Sequence, residues 1–202
     1  MNRCAMPKPK IRALAALAPL ALLAACSNAP PAEPPLQGAA IGGPFTLTDG
    51  SGKTVRWADF DGKWRMIYFG FAYCPDVCPF DMQRMMQGYA AFKAEYPDRA
   101  ATIAPIFVSV DPERDTPEVV AKFTAAFSDE LIGLTGTPEQ VREAAKNFAV
   151  YYEKGEATGD GGYMIDHSRA AYLMDPQGNP IALLPVDESP AGVTEVLEQW
   201  VN

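Results

Sequence analysis

Hydrophobic and polar positions divide this chain into short, legible blocks. Phe45-Thr46-Leu47-Thr48 and Thr54-Val55-Arg56-Trp57 alternate on either side of Asp49-Gly50-Ser51-Gly52, which predicts a β-hairpin. Trp64 to Phe71 is an apolar run of the kind expected for a central strand buried on both faces. Phe80 to about Tyr96 carries Met82, Met85, Met86, Tyr89 and Phe92 at helical spacings. The methionines are therefore read as the core face of a helix and not as soft-metal ligands. Thr102 to Val110 is a second apolar strand. Thr116-Pro117 and Thr137-Pro138 each place a capping residue before a proline at the first helical position. They predict helices over Glu118 to Phe127 and from Pro138 to about Phe148, with a short strand at Ile132 to Leu134 between them.

Val150-Tyr151-Tyr152 has strand character. Lys154 to Gly162 is polar and glycine-rich, and is read as a mobile loop. Tyr163 to Ser168 follows. Then Arg169 to Met174 and Pro180 to Leu184 flank the turn Asp175-Pro176-Gln177-Gly178-Asn179 as a second hairpin. Glu188 to Val201 closes the chain as an amphipathic helix. Strand–helix–strand units imply parallel pairing with right-handed crossovers, and the late hairpin adds antiparallel strands. The expected fold class is α/β: a thioredoxin-like mixed central sheet with helices on both faces and added β-hairpins, spanning residues 41–202.

The N-terminus changes this picture. Arg3, Lys8, Lys10 and Arg12 precede an apolar stretch from Ala13 to Leu23, then Ala24-Ala25-Cys26. This predicts an export signal over residues 1–25, too short to span a membrane comfortably. Leu23-Ala24-Ala25-Cys26 is similar to the lipobox of bacterial lipoproteins, in which the cysteine is acylated. Residues 26–40 include Pro30, Pro31, Pro34, Pro35 and Gly38 and are expected to form a lipid-anchored, semi-rigid tether. The protein would be exported and held at a membrane, facing the periplasm. Without the four basic residues of the signal, 13 basic stand against 25 acidic residues, a net −12 in place of −8. Nucleic acid and anionic lipid headgroups are poor candidates as partners on that balance.

Of four cysteines, Cys4 leaves with the signal and Cys26 is the anchor, so the domain retains Cys74, Cys78 and a single histidine, His167. The cysteines follow the first core strand, at the start of a helix. A helix N-terminus favours negative charge and makes a thiol a better ligand or nucleophile. The pair is C-x-x-x-C, not the C-x-x-C of thioredoxin-type oxidoreductases, and Pro75 and Pro79 restrict the local backbone. Disulfide exchange, peroxide reduction, metal binding and a structural disulfide all stay open to it. A structural disulfide gains little from so short a loop. The threonine that a peroxiredoxin-like site needs three residues before its cysteine is replaced by Phe71. Two thiolates and one imidazole form a soft, three-donor set that suits Cu(I) and, with an added oxygen ligand, Cu(II). Structural zinc normally takes four protein ligands, and no fourth Cys or His remains. Asp76 and Asp111 are candidates either for orienting the ligands or for capping loops.

Three motifs carry a resemblance. Tyr68-Phe69-Gly70-Phe71-Ala72-Tyr73-Cys74-Pro75-Asp76-Val77-Cys78-Pro79, Val108-Ser109-Val110-Asp111-Pro112-Glu113-Arg114-Asp115-Thr116-Pro117 and Asp166-His167-Ser168 are similar to those of the Sco/SenC copper proteins. The likeness covers residues 40 to 202. It implies that Cys74, Cys78 and His167 are copper ligands for Cu(I) and Cu(II). It also implies a monomeric metallochaperone and not an enzyme. Such a protein would deliver copper to the binuclear copper centre of cytochrome c oxidase, or reduce that centre's cysteines. Its partners would be the copper-receiving oxidase subunit and a periplasmic thiol reductant or copper donor. A periplasmic thiol–disulfide oxidoreductase is the competing reading. Motion of the Gly155 to Gly162 loop is expected to carry His167 on and off the metal.

Overall fold

A computed structural model describes residues 33–157 and 162–202. The residues expected to form the export signal, Cys26 and the first part of the expected tether lie outside the described residues. Nine strands and five helices occur among the described residues: β1 (Thr46–Asp49), β2 (Thr54–Arg56), β3 (Trp64–Gly70), α1 (Val77–Glu95), α2 (Pro97–Ala100), β4 (Ile103–Ser109), α3 (Pro117–Ala125), β5 (Ile132–Thr135), α4 (Pro138–Asn147), β6 (Tyr152–Ala157), β7 (Tyr163–His167), β8 (Ala171–Met174), β9 (Pro180–Leu183) and α5 (Pro190–Trp200). Among the described residues no helix is long and apolar enough to cross a membrane.

Seven strands form one mixed sheet in the order β2-β1-β5-β4-β3-β8-β9. β3, β4 and β5 run parallel, joined by α1 and α3, while β8 pairs antiparallel with β3. Every residue of β3 and β4 is buried, because helices cover both faces. On one face Tyr68 stacks on Phe107, which meets Phe123 of α3. On the other, Phe69 and Tyr172 pack on Phe148 at the end of α4. The thioredoxin-like mixed sheet read from the pattern is the fold observed, and Met82, Met85 and Met86 lie in its core. Thr116 and Thr137 cap α3 and α4 through their side chains, as the Thr-Pro pairs predict.

Three expectations are corrected. The helix after the cysteines begins at Val77 and not at Phe80, so Pro79 is its third residue. Proline is harmless there, because the first-turn N–H groups have no intrahelical acceptor. The expected loop at Lys154 to Gly162 is strand over its first four residues. β6 runs to Ala157 and pairs with β7 as a separate two-stranded ribbon, with Tyr152 opposite His167 and Lys154 opposite Ile165. The ribbon stands outside the main sheet and β6 is largely exposed. No buried face imposes alternation on it, and its polar sequence hides the strand. Finally, the stretch read as tether is partly packed. The Leu36 N–H donates to the Ile181 carbonyl at 3.0 Å, and Leu36 packs on the core.

Candidate metal centre

β3 ends at Gly70, and the chain turns at once: the Cys74 N–H donates to the Phe71 carbonyl at 3.3 Å. Cys78 then lies in the first turn of α1. Its backbone N–H donates to Cys74 Sγ at 3.4 Å, so sulfur occupies one of the donors that a helix leaves open at its start. Asp76 stands at the N-cap position but its carboxylate makes no capping bond and is exposed. Both cysteines are reduced and buried, Cys78 completely. Gly70 allows this approach. A Cβ there would stand 2.8 Å from Tyr68 Cε1 and 3.0 Å from Cys78 Sγ.

His167, the last residue of β7, brings Nε2 to 3.3 Å from Cys78 Sγ. Its Nδ1 lies 2.9 Å from the Ser168 carbonyl oxygen. A carbonyl only accepts, so Nδ1 carries a proton and donates to it, which leaves Nε2 facing sulfur. Metal-ligating histidines are commonly oriented by this kind of backbone contact on the other nitrogen. Phe71 and Tyr68 hold the ring edge-on at 5.7 and 6.3 Å between centroids. The three residues named from sequence thus meet at one place, through Cys78. Among the described residues no group of three His, Cys, Asp or Glu donors is already closed at metal-site spacing; pairwise contacts are what the fold supplies.

The two thiols are electrostatically unequal. A hydrogen bond from the Cys78 side chain, assisted by His167 and by backbone N–H groups, pulls the Cys74 thiol down to about 4, against the opposing effect of burial. Cys78 moves upward, because it keeps the shared proton and because it is buried. Burial, with Cys78 and Asp81 beside it, also pushes the Tyr68 phenol upward. One ready thiolate, a second thiol and one imidazole make a soft donor set. The same pair of sulfurs can close as a disulfide.

The Asp111–Thr116 segment supports this rim. Asp111 accepts from Tyr163 Oη at 2.6 Å and from Arg114 Nε at 2.5 Å. Its backbone carbonyl also receives the Asp115 N–H. Asp111 therefore caps its loop and also grips β7. Arg114 lies over the Tyr163 ring at 3.6 Å, with Lys154 4.0 Å from the same ring. Buried Asp115 accepts from the Ala72 N–H at 2.8 Å and from Ser109 Oγ at 2.6 Å, which fixes the turn leading to Cys74. Burial raises the Asp115 carboxyl. The sequence reading missed Tyr163, Arg114, Asp115, Asp81 and Arg169. For Asp81 a signal existed: it lies on the same helical stripe as Cys78, Met82 and Met85, where an apolar residue is expected.

Protein SenC of Rhodobacter capsulatus is 46% identical over 139 residues, covering 69% of this chain and 61% of that protein. The crystal structure of Arabidopsis thaliana ScoI with copper bound matches with a TM-score of 0.73 at 38% identity, over 79% of this chain and 97% of the other. The thioredoxin domain of a thiol-disulfide oxidoreductase from Bacteroides vulgatus shares the fold alone, with a TM-score of 0.55 at 18% identity over 80% of this chain and 96% of the other. The chain spans about half the length of the curated relatives it matches. A family model described as SCO1/SenC matches residues 33–202, the full extent of the fold that carries these two thiols and this imidazole, and the chain belongs to the SCO1/SenC family.

Proposed function

We propose that this chain is a copper metallochaperone whose cargo is held by Cys74, Cys78 and His167. The observation that carries this reading is His167, which points Nε2 at Cys78 Sγ while its Nδ1–H is tied to the Ser168 carbonyl. Two sulfurs and an imidazole fit a soft, readily exchanged metal ion. Support comes from relatives: the ScoI structures of Arabidopsis thaliana and Bradyrhizobium japonicum are described with copper bound. BsSco is described as a member of the Sco family of cytochrome c oxidase assembly proteins. The receiver is accordingly an oxidase subunit with a copper centre. The lipobox-like Cys26 supports attachment to a bacterial membrane on the periplasmic side.

Both sulfurs must be free to bind metal, so a Cys74–Cys78 disulfide abolishes loading and makes it redox-gated. The test is titration of the reduced full chain with Cu(I) and Cu(II), beside an insulin-disulfide reduction assay. One-to-one copper binding with negligible reduction is expected. Replacing His167 with Ala is expected to weaken Cu(II) binding roughly tenfold or more beyond its effect on Cu(I). Equal losses for the two ions sink the role given to the imidazole. The low-lying Cys74 thiolate favours a second reading, thiol–disulfide exchange with a partner. Robust insulin reduction without copper uptake would establish that one instead.

A further inference from the structure

The ribbon that carries His167 is not hydrogen-bonded into the main sheet. Something other than a ladder must therefore set the imidazole against α1. The chain leaves β7 through Ser168 and Arg169, and Arg169 reaches back to α1 with both arms of its guanidinium. Its Nε donates to Asp81 Oδ2 at 3.0 Å and its Nη2 to Asp81 Oδ1 at 2.7 Å. Asp81 is wholly buried, one turn along α1 from Cys78. Oδ2 also accepts from Tyr68 Oη at 3.0 Å, and the Tyr68 ring is one of the two that hold His167 edge-on. Arg84 stands at the edge of the cluster, 3.9 Å from Oδ1.

A carboxylate in this position is costly to desolvate, and an apolar side chain on the core stripe of α1 would avoid that cost. Its geometry gives the compensating use. The bidentate Arg–carboxylate contact fixes direction as well as distance. It joins the residue two places after His167 to the residue three places after Cys78. We propose that the Asp81–Arg169 ion pair is a latch that sets His167 Nε2 against Cys78 Sγ, which makes Asp81 and Arg169 positioning residues of the centre. The opposite side of the connection is held separately. The Ser168 N–H donates to the Tyr151 carbonyl at 2.9 Å, and the Tyr151 N–H to Ser168 Oγ at 3.0 Å. Loss of the latch therefore leaves the ribbon folded and frees only its approach to α1. The consequence for metal rests on the copper reading above, but the latch itself does not.

The test uses the reduced full chain. Arg169→Gln is the main variant, because the Arg169 side chain is 40% exposed whereas Asp81 is wholly buried; Arg169→Lys keeps the charge beside the Asp81 carboxylate and removes the fork. In the metal-free protein, the 15N shifts of the His167 ring are expected to move toward those of free imidazole in Arg169→Gln and to recover in part in Arg169→Lys. With Cu(II) chloride as probe, Arg169→Gln is expected to weaken binding about 10–100-fold, the usual cost of losing a ligand-orienting partner. In a His167→Ala background it should have no further effect, since a latch acts only through the group it positions. Unmoved ring shifts overturn the proposal, and so does an equal loss with and without His167. Failure of the unaltered chain to take up Cu(II) would defeat the copper reading, and the metal-free shifts would still decide the latch.

Discussion

Cys74 and Cys78 carry the same side chain and differ in which of them keeps the proton. Cys78 is enclosed completely and donates, while Cys74 accepts from it and from the N–H groups at the start of α1. An ordinary thiol is mostly protonated near neutral pH, so its alkylation rate climbs about tenfold per pH unit there. Cys74, titrating at about 4, is already thiolate across that range. Its reaction with a small reagent such as iodoacetamide is expected to be nearly flat from pH 6 to 8, as followed by mass spectrometry. Replacing Cys78 with Ala removes the principal donor and should restore a rate that rises with pH. A steep profile in the unaltered chain would contradict the shared-proton arrangement. The cysteines were legible as a pair from their place between strand and helix. Their inequality was not, because it depends on which sulfur the fold buries.

At the scale of elements, the β6–β7 ribbon is the part whose sequence was most misleading. Glycines and charges between Lys154 and Gly162 looked like loop, yet β6 runs through Ala157. Its backbone is satisfied by β7, and its side chains face solvent on a two-stranded ribbon, so composition carries little signal. The ribbon is fastened at its Tyr163 end by the Asp111 hydrogen bond and by Arg114 and Lys154 around the ring. Tyr163→Phe keeps the ring and removes the hydroxyl donor to a buried carboxylate, a bond worth roughly 1.5–3 kcal/mol. Amide exchange in the β6–β7 ladder is expected to speed up about tenfold or more, while β3 and β4 stay protected. Unchanged exchange at Lys154 and Ile165 would show that the ring stacking alone holds the ribbon. Part of the segment expected to move as a loop is thus strand, fastened at Tyr163.

Over the whole molecule, the site depends on how α1 is seated, and α1 is seated by α5 as well as by the sheet. The two helices meet at Gly88, where a Cβ would stand 2.6 Å from the Pro190 carbonyl oxygen and 2.7 Å from Val193 Cβ. Backbone cannot swing aside as a flexible side chain can. Gly88→Ala is expected to destabilise the fold by about 1–3 kcal/mol through overpacking, seen as a fall of roughly 3–10 °C in the thermal midpoint. An unchanged midpoint would show that α5 can shift at no cost.

Local patterning was enough to order the strands and helices, because hydrophobic period, capping pairs and turn residues act over a few positions and are written in the chain itself. It also placed two thiols at a strand exit, next to helix-terminal N–H groups. That His167, 89 positions beyond Cys78, would come within contact of its sulfur is a different kind of fact. So is the reach of Arg169 to Asp81 across 88 positions. No local pattern encodes such meetings: they follow from the packing of β7, β8 and α1 around a shared core, and only the tertiary structure decides them.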